Sequence, residues 1–238
     1  MRIRLPALFA IILFGFVLAL VPTVALAQEP MGAARMELSA APGGGMLFTK
    51  PAKTTDIDFS NYALAGGFTY NINTLVGVEG EIGGGLGLRH TFTNVVSAPM
   101  LDEAGSPVLD EAGNVMAVEN TIATRTRSPR TLGYEGNLVL HPRGNDHALV
   151  PYVTGGIGGL TLFTRSELKP LGLMNNETYF TGNTGAGLKW FVAPGWGLRA
   201  DYRFLIIKSK KTAPEFFGLN ENRYGHRIYG SLVYTFGK

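Results

Sequence analysis

Between Val76 and Leu88 the chain alternates with a period of two, and the two sets of residues differ in kind. The even positions Val76, Val78, Gly80, Ile82, Gly84, Leu86 and Leu88 carry no charge, whereas the odd ones are glycine except for Glu79 and Glu81. A strand sends successive side chains to opposite faces, so one face here is apolar and the other is small or acidic. The same division recurs. Leu132, Tyr134, Gly136, Leu138 and Leu140 oppose Thr131, Gly133, Glu135 and Asn137. Ala186, Leu188 and Trp190 oppose Gly185, Gly187 and Lys189. Leu198, Ala200, Tyr202, Phe204 and Ile206 oppose Arg199, Asp201 and Arg203, and Ile228, Gly230, Leu232, Tyr234 and Phe236 oppose Arg227, Tyr229, Ser231 and Thr235.

The beginning of the chain sets the solvent. Arg2 and Arg4, an apolar run from Leu5 to about Val21, and Ala25-Leu26-Ala27 have the three parts of a secretory signal. A signal peptide over 1–27 and a mature chain over 28–238 are expected. The chain has no cysteine, so no disulfide framework holds the exported protein together. Without Arg2 and Arg4 the mature chain has 19 basic residues (21 minus 2) and 18 acidic ones, a net charge of +1. No basic stripe with interleaved aromatics points to nucleic acid.

The best candidate for a membrane helix in the mature chain, 148–164, is free of charge but has only 17 residues and includes Pro151 and four glycines. That composition disfavours a membrane helix. The pattern predicts eight strands, near 35–48, 62–72, 76–88, 122–141, 150–163, 179–192, 198–206 and 226–236. The first alternates weakly, and the two faces of the fifth are too alike to assign. The connections run long, short, long, short, long, short, long, as short periplasmic turns and longer outer loops require. Eight strands leave an interior barely wide enough for side chains, which suits glycine beside the charges. The expected fold is all-β: an eight-stranded antiparallel up-and-down transmembrane β-barrel with four longer extracellular loops.

On this reading Glu79, Glu81, Glu135, Lys189, Arg199, Asp201, Arg203 and Arg227 form a charge network in the lumen, where each must be paired. Tyr70, Tyr152, Trp190, Trp196 and Phe236 fall near the periplasmic strand ends and form an aromatic girdle; Phe163, Phe180 and Phe204 fall at the opposite rim. The long connection after the third strand repeats an octad, Leu101–Val108 and Leu109–Met116. Asp102, Glu103, Asp110 and Glu111 make it an acidic loop, read as a pair of exposed turns rather than a metal site.

The segments Gly77–Glu81, Pro151–Gly156, Gly185–Lys189, Leu198–Arg203 and Leu232–Phe236, in this order behind a signal peptide, resemble the small outer-membrane β-barrel family, the OmpA-like and OmpX-like transmembrane barrels. The resemblance covers essentially the whole mature chain. It implies a place in the bacterial outer membrane, contact with membrane lipid and lipopolysaccharide, insertion by the barrel-assembly machinery, and a non-enzymatic structural and surface-interaction role through the outer loops. A host or surface ligand is compatible with that role but not identified. Two alternatives remain: a narrow porin-like channel for ions or small solutes, and a lipid A-modifying enzyme. Against the enzyme, His226 has no close serine and Ser231 points inward, so no catalytic residue is assigned. The spacing of His90, His141, His147 and His226 suggests no metal site, and no motif suggests a cofactor. Folded in detergent, the chain should migrate faster on a gel before boiling than after; identical mobility would contradict the barrel.

Overall fold

The computed structural model describes residues 35–49, 59–102, 104–110, 112–171, 173–210 and 222–237. The expected signal segment 1–27 lies outside these residues, as do Glu103 and Glu111. The strands are β1 (Met36–Thr49), β2 (Phe59–Asn71), β3 (Val76–Gly87), β4 (Arg89–Pro99), β5 (Ala117–Arg127), β6 (Arg130–Leu140), β7 (Leu149–Phe163), β8 (Glu177–Ala193), β9 (Trp196–Ile207) and β10 (Arg223–Phe236). Eight of them close an antiparallel barrel in the order β1-β10-β9-β8-β7-β6-β3-β2, and β4 pairs with β5 as a separate ribbon. No helix among the described residues is long and apolar enough to cross a membrane.

The barrel is inside out relative to a soluble one. Ile82 is 65% exposed, Ile157 63% and Leu232 50%, while Arg203 and Lys189 are fully buried. Water outside that wall would make this arrangement prohibitive; hydrocarbon outside makes it the stable one. The weak alternation of β1 has a cause. Its register against both neighbours shifts around Pro42-Gly43-Gly44. Glu37 and Ala41 are buried before the shift, Met46 and Phe48 after it. One extra residue in a bulge exchanges the two faces, so no single parity describes the strand.

The segment expected to be only a long connection after β3 contains β4 and the first part of β5, which pair as a ribbon. In register this ribbon continues β3 and β6. Val76 faces Leu140 and Gly85 faces Thr131 in the barrel; Arg89 faces Arg127 and Pro99 faces Ala117 beyond it. The two parts make one long hairpin, interrupted where Pro129 has no N–H to give the ladder. Beyond the interruption the buried face changes: Thr131 and Glu135 are buried in β6, but above the rim it is Phe92 that turns in and Arg89, Arg125 and Arg127 that turn out. Ser128 fixes the junction by donating its hydroxyl to Asn61 Oδ1 at 2.6 Å and Ser60 O at 2.9 Å. Eleven residues per strand at about 3.3 Å each give the ribbon a length of roughly 36 Å.

Glycine serves two opposite surfaces. A Cβ on Gly158 would stand 2.0 Å from Tyr134 O and 2.9 Å from Glu135 Cγ, whereas one on Gly136 would meet nothing within 4 Å. Gly158→Leu should therefore abolish the heat-shifted compact band after refolding, and Gly136→Leu, which faces lipid, should leave it intact. Equal refolding of both variants would contradict the packing.

Candidate functional site

Inside the barrel, charge is sorted by wall. Glu81 and Glu135 stand directly opposite each other on β3 and β6, and Arg203 and Arg227 do so on β9 and β10. Each like-charge pair is unfavourable alone and is answered across the lumen. Arg227 Nη2 donates to Glu81 Oε1 at 2.5 Å and to Glu135 Oε2 at 3.0 Å. Arg203 Nη2 donates to Glu79 Oε1 at 2.7 Å and its Nε to Asp201 Oδ1 at 2.9 Å. Arg199 Nη1 donates to Glu79 Oε2 at 2.5 Å and its Nε to Asp201 Oδ2 at 3.0 Å.

Neutral groups complete the network. Asn183 Nδ2 donates to Glu135 Oε2 at 3.1 Å and to Asn137 Oδ1 at 2.8 Å. The Tyr229 hydroxyl donates to Glu81 Oε2 and the Tyr152 hydroxyl to Asp201 Oδ2. The guanidinium of Arg199 also lies 4.8 Å from the centre of the Tyr152 ring. Glycines make the room: a Cβ on Gly187 would meet the Tyr152 hydroxyl at 2.2 Å, and one on Gly185 would be 2.2 Å from Tyr202 O and 3.2 Å from Arg203 Cδ.

Toward the periplasm Lys189 Nζ donates to Glu37 Oε2 at 2.5 Å and to His141 Nε2 at 3.2 Å, and Asn71 Nδ2 donates to Glu37 Oε1 at 2.9 Å. Toward the outside the lumen turns apolar. Met46, Phe48, Phe59, Phe92, Leu160 and Leu162 cluster there with Leu168 and Leu173 from the loop after β7. Phe48 and Phe59 have ring centres 4.7 Å apart.

All eight charged residues expected in the lumen are buried; seven are joined in the guanidinium–carboxylate network, and Lys189 pairs instead with Glu37 and His141. Sequence reasoning missed Glu37, because the bulge hides the parity of β1, and it missed Tyr229 and Asn183 as partners. Tyr152 requires a correction. It is 2% exposed and faces the lumen, because the even positions of β7 turn inward and its hydroxyl reaches Asp201. Tyr70, Trp196 and Phe236 are exposed on the outer wall, and Trp190 is half-buried there. The Trp196 and Tyr234 rings are tilted against each other with centres 4.8 Å apart, and Tyr234 stacks on Phe236 at 5.9 Å. At the other rim Phe180 is exposed and Phe163 and Phe204 are partly so.

The octad repeat forms two turns, closed by bridges between Leu101 and Pro107 and between Leu109 and Val115. Asp102 and Asp110 each cap their own turn: Asp102 Oδ1 accepts from the Ala104 and Ser106 amides, Asp110 Oδ1 from those of Ala112 and Asn114. Gly105 and Gly113 take the left-handed conformation the turns need, with φ of 79° and 83°. The Asn114 amide holds the Asp110 carboxyl below the usual carboxylate range.

His226 Nδ1 lies 2.8 Å from the Tyr202 hydroxyl, and Ser231 is buried. A serine–histidine contact that the sequence did not suggest exists elsewhere: Ser60 Oγ is 3.1 Å from His90 Nε2. The same nitrogen lies 3.1 Å from Ser60 N and 3.2 Å from Ser60 O, so the imidazole caps the end of β2. Among the described residues no carboxylate orients it, and no group of three or more His, Cys, Asp or Glu is placed to hold a metal.

An inverted eight-stranded wall around an ion-paired interior defines a small bacterial outer-membrane barrel. The chain belongs to the family of the outer membrane protein beta-barrel domain, whose model matches residues 15–236, and it resides in the bacterial outer membrane. In fold it is similar to neisserial surface protein A, NspA, with a TM-score of 0.50, 10% identity, and coverage of 86% of this chain and 99% of that one. It also matches outer membrane protein OprG from Pseudomonas aeruginosa, with a TM-score of 0.44, 14% identity, and coverage of 87% and 100%. The N-terminal β-barrel domain of OprF from the same organism matches at 0.43 and 12%, over 84% and 96%. No curated protein matches the chain in sequence.

The sorted charges make a test. Arg227→Glu should destabilise the barrel by about 3–5 kcal/mol, as breaking a buried pair does. Adding Glu81→Arg should restore most of the loss, since the exchanged charges again pair with each other across the lumen. Urea unfolding in lipid vesicles measures both; a double variant no more stable than the single one would contradict the cross-lumen pairing.

Proposed function

We propose that the protein is a non-enzymatic component of the outer membrane that stabilises the envelope and meets its surroundings through its outer loops, above all the β4–β5 ribbon. The observation that carries this reading is the filled lumen. Its middle is occupied by guanidinium–carboxylate pairs with few polar atoms to spare, and its outer end by the apolar cluster around Phe48, Phe59 and Phe92. An ion would have to displace both layers, which disfavours a channel.

The ribbon supports the second half of the proposal. It is a sheet separate from the barrel, its long edges have no strand partner among the described residues, and its tip exposes Met100, Leu101, Leu109, Val115 and Met116. Exposed apolar side chains grouped at the end of a projecting element are a common form of contact surface. Ser60 and His90 lack an orienting carboxylate among the described residues, so the geometry gives lipid A hydrolysis little support. Contact with lipopolysaccharide and insertion by the barrel-assembly machinery are part of the same proposal.

Planar-bilayer recording tests the reading directly. The refolded protein should give no reproducible conductance steps. Regular steps abolished by Arg203→Glu would establish the channel instead, and a mass change in lipid A from cells expressing the protein would establish the enzyme.

A further inference from the structure

Arg89 and Arg127 are directly opposite each other at the base of the β4–β5 ribbon, and Arg125 is opposite Thr91 on the same face. Side chains so placed have their Cβ atoms about 4.5–5.5 Å apart, and like charges there repel. Inside the barrel every such pair is met by carboxylates from the facing wall. Arg89, Arg125 and Arg127 are instead exposed, and so is Arg130 at the start of β6. None of the four forms an ion pair with a carboxylate among the described residues. The face that bears the first three is turned away from the barrel mouth, because Phe92 on the opposite face packs into the apolar cluster.

Their height on the wall narrows the partner. Leu88 precedes Arg89 and Leu132 lies two residues beyond Arg130; with Leu86 these leucines are 40–50% exposed on the lipid-facing wall. The arginines therefore begin where the hydrocarbon surface ends, on the outer side of the membrane. A partner matching both parts has acyl chains below and a multiply anionic, oxygen-rich head above. Guanidinium groups bind phosphate oxygens through paired hydrogen bonds.

We propose that Arg89, Arg125, Arg127 and Arg130 form a site for the phosphate groups of the glycolipid in the outer leaflet, with Leu86, Leu88 and Leu132 receiving its acyl chains. The site would anchor the base of the ribbon and remove the repulsion between Arg89 and Arg127. The inference deepens the envelope role proposed above and rests on that orientation in the membrane. The two fail separately: conductance or lipid A modification would overturn the role, whereas the following test addresses only the site.

The full-length mature barrel is refolded into phosphatidylcholine nanodiscs containing either lipid A with both phosphates or the same lipid A dephosphorylated. Lipid A retained after mild detergent extraction is counted by mass spectrometry. The wild type should retain the phosphorylated form about tenfold more than the dephosphorylated one, a difference of 1.4 kcal/mol. The Arg89→Gln, Arg125→Gln, Arg127→Gln, Arg130→Gln quadruple variant should retain both at the lower level. Arg143→Gln, in a periplasmic turn, should behave as wild type. Heat-shifted mobility on a gel confirms that each variant is folded. If the quadruple variant misfolds, the Arg89→Lys, Arg127→Lys variant, which keeps the charge, should retain an intermediate amount. Equal retention of the two lipids by the wild type, or undiminished retention by the folded quadruple variant, would overturn the site. So would full displacement of lipid A by millimolar inorganic phosphate, which would identify a free-anion site instead.

Discussion

The ion pairs across the lumen tie together walls that are far apart in sequence. Arg227 on β10 meets Glu81 on β3 and Glu135 on β6, and Arg203 on β9 meets Glu79 on β3. Asp201 pairs with Arg199 and Arg203 on its own strand, but the two glutamates side by side on one wall and the two arginines side by side on the other find opposite charge only when the sheet has closed and the walls face each other. Closure thus satisfies charge and backbone together: no strand edge is left in the hydrocarbon, and no carboxylate is left without a cation inside. The apolar exterior can then be as greasy as the lipid demands, since Glu79, Glu81, Glu135, Arg199, Asp201, Arg203 and Arg227 all find their partners inside.

The glycines follow from the same constraint. An eight-stranded cylinder is narrow, and large charged side chains fit only where the opposite or neighbouring position has no side chain. Gly185 lies against Arg203 and Gly187 against Tyr152. Glycines on the outer face, such as Gly80 and Gly136, touch nothing nearby and are not demanded by packing. Glycine content alone therefore says little; its face says much.

Much of the architecture could be read from residues, because strict parity is enforced wherever one face meets lipid and the other meets charge. In β3, β6, β9 and β10 the alternation is uninterrupted, and the charged set was legible. In β7 glycine and threonine occur on both faces, so Tyr152 looked like an interface aromatic although it is a lumen partner of Asp201. In β1 the bulge at Pro42–Gly44 exchanges faces midway and concealed Glu37. Of the β4–β5 ribbon only 122–127 was legible as strand, as the start of the fourth, and β4 was not legible, because above the rim neither lipid nor lumen imposes a pattern on threonine, valine and arginine. Which cation meets which carboxylate is fixed by closure and shear, and no local spacing encodes it.

The central claim is that hydrocarbon lies outside this cylinder and charge within it. Single cysteines bearing nitroxide labels at Ile82, Ile157 and Leu232 on one side, and at Thr154 and Ser231 on the other, test it in lipid vesicles by comparing collision with oxygen and with a water-soluble nickel chelate. The account predicts high oxygen and low nickel collision at the first three positions, and protection from both at the second two. Nickel access at Ile82, Ile157 and Leu232 together with oxygen access at Thr154 and Ser231 would contradict it.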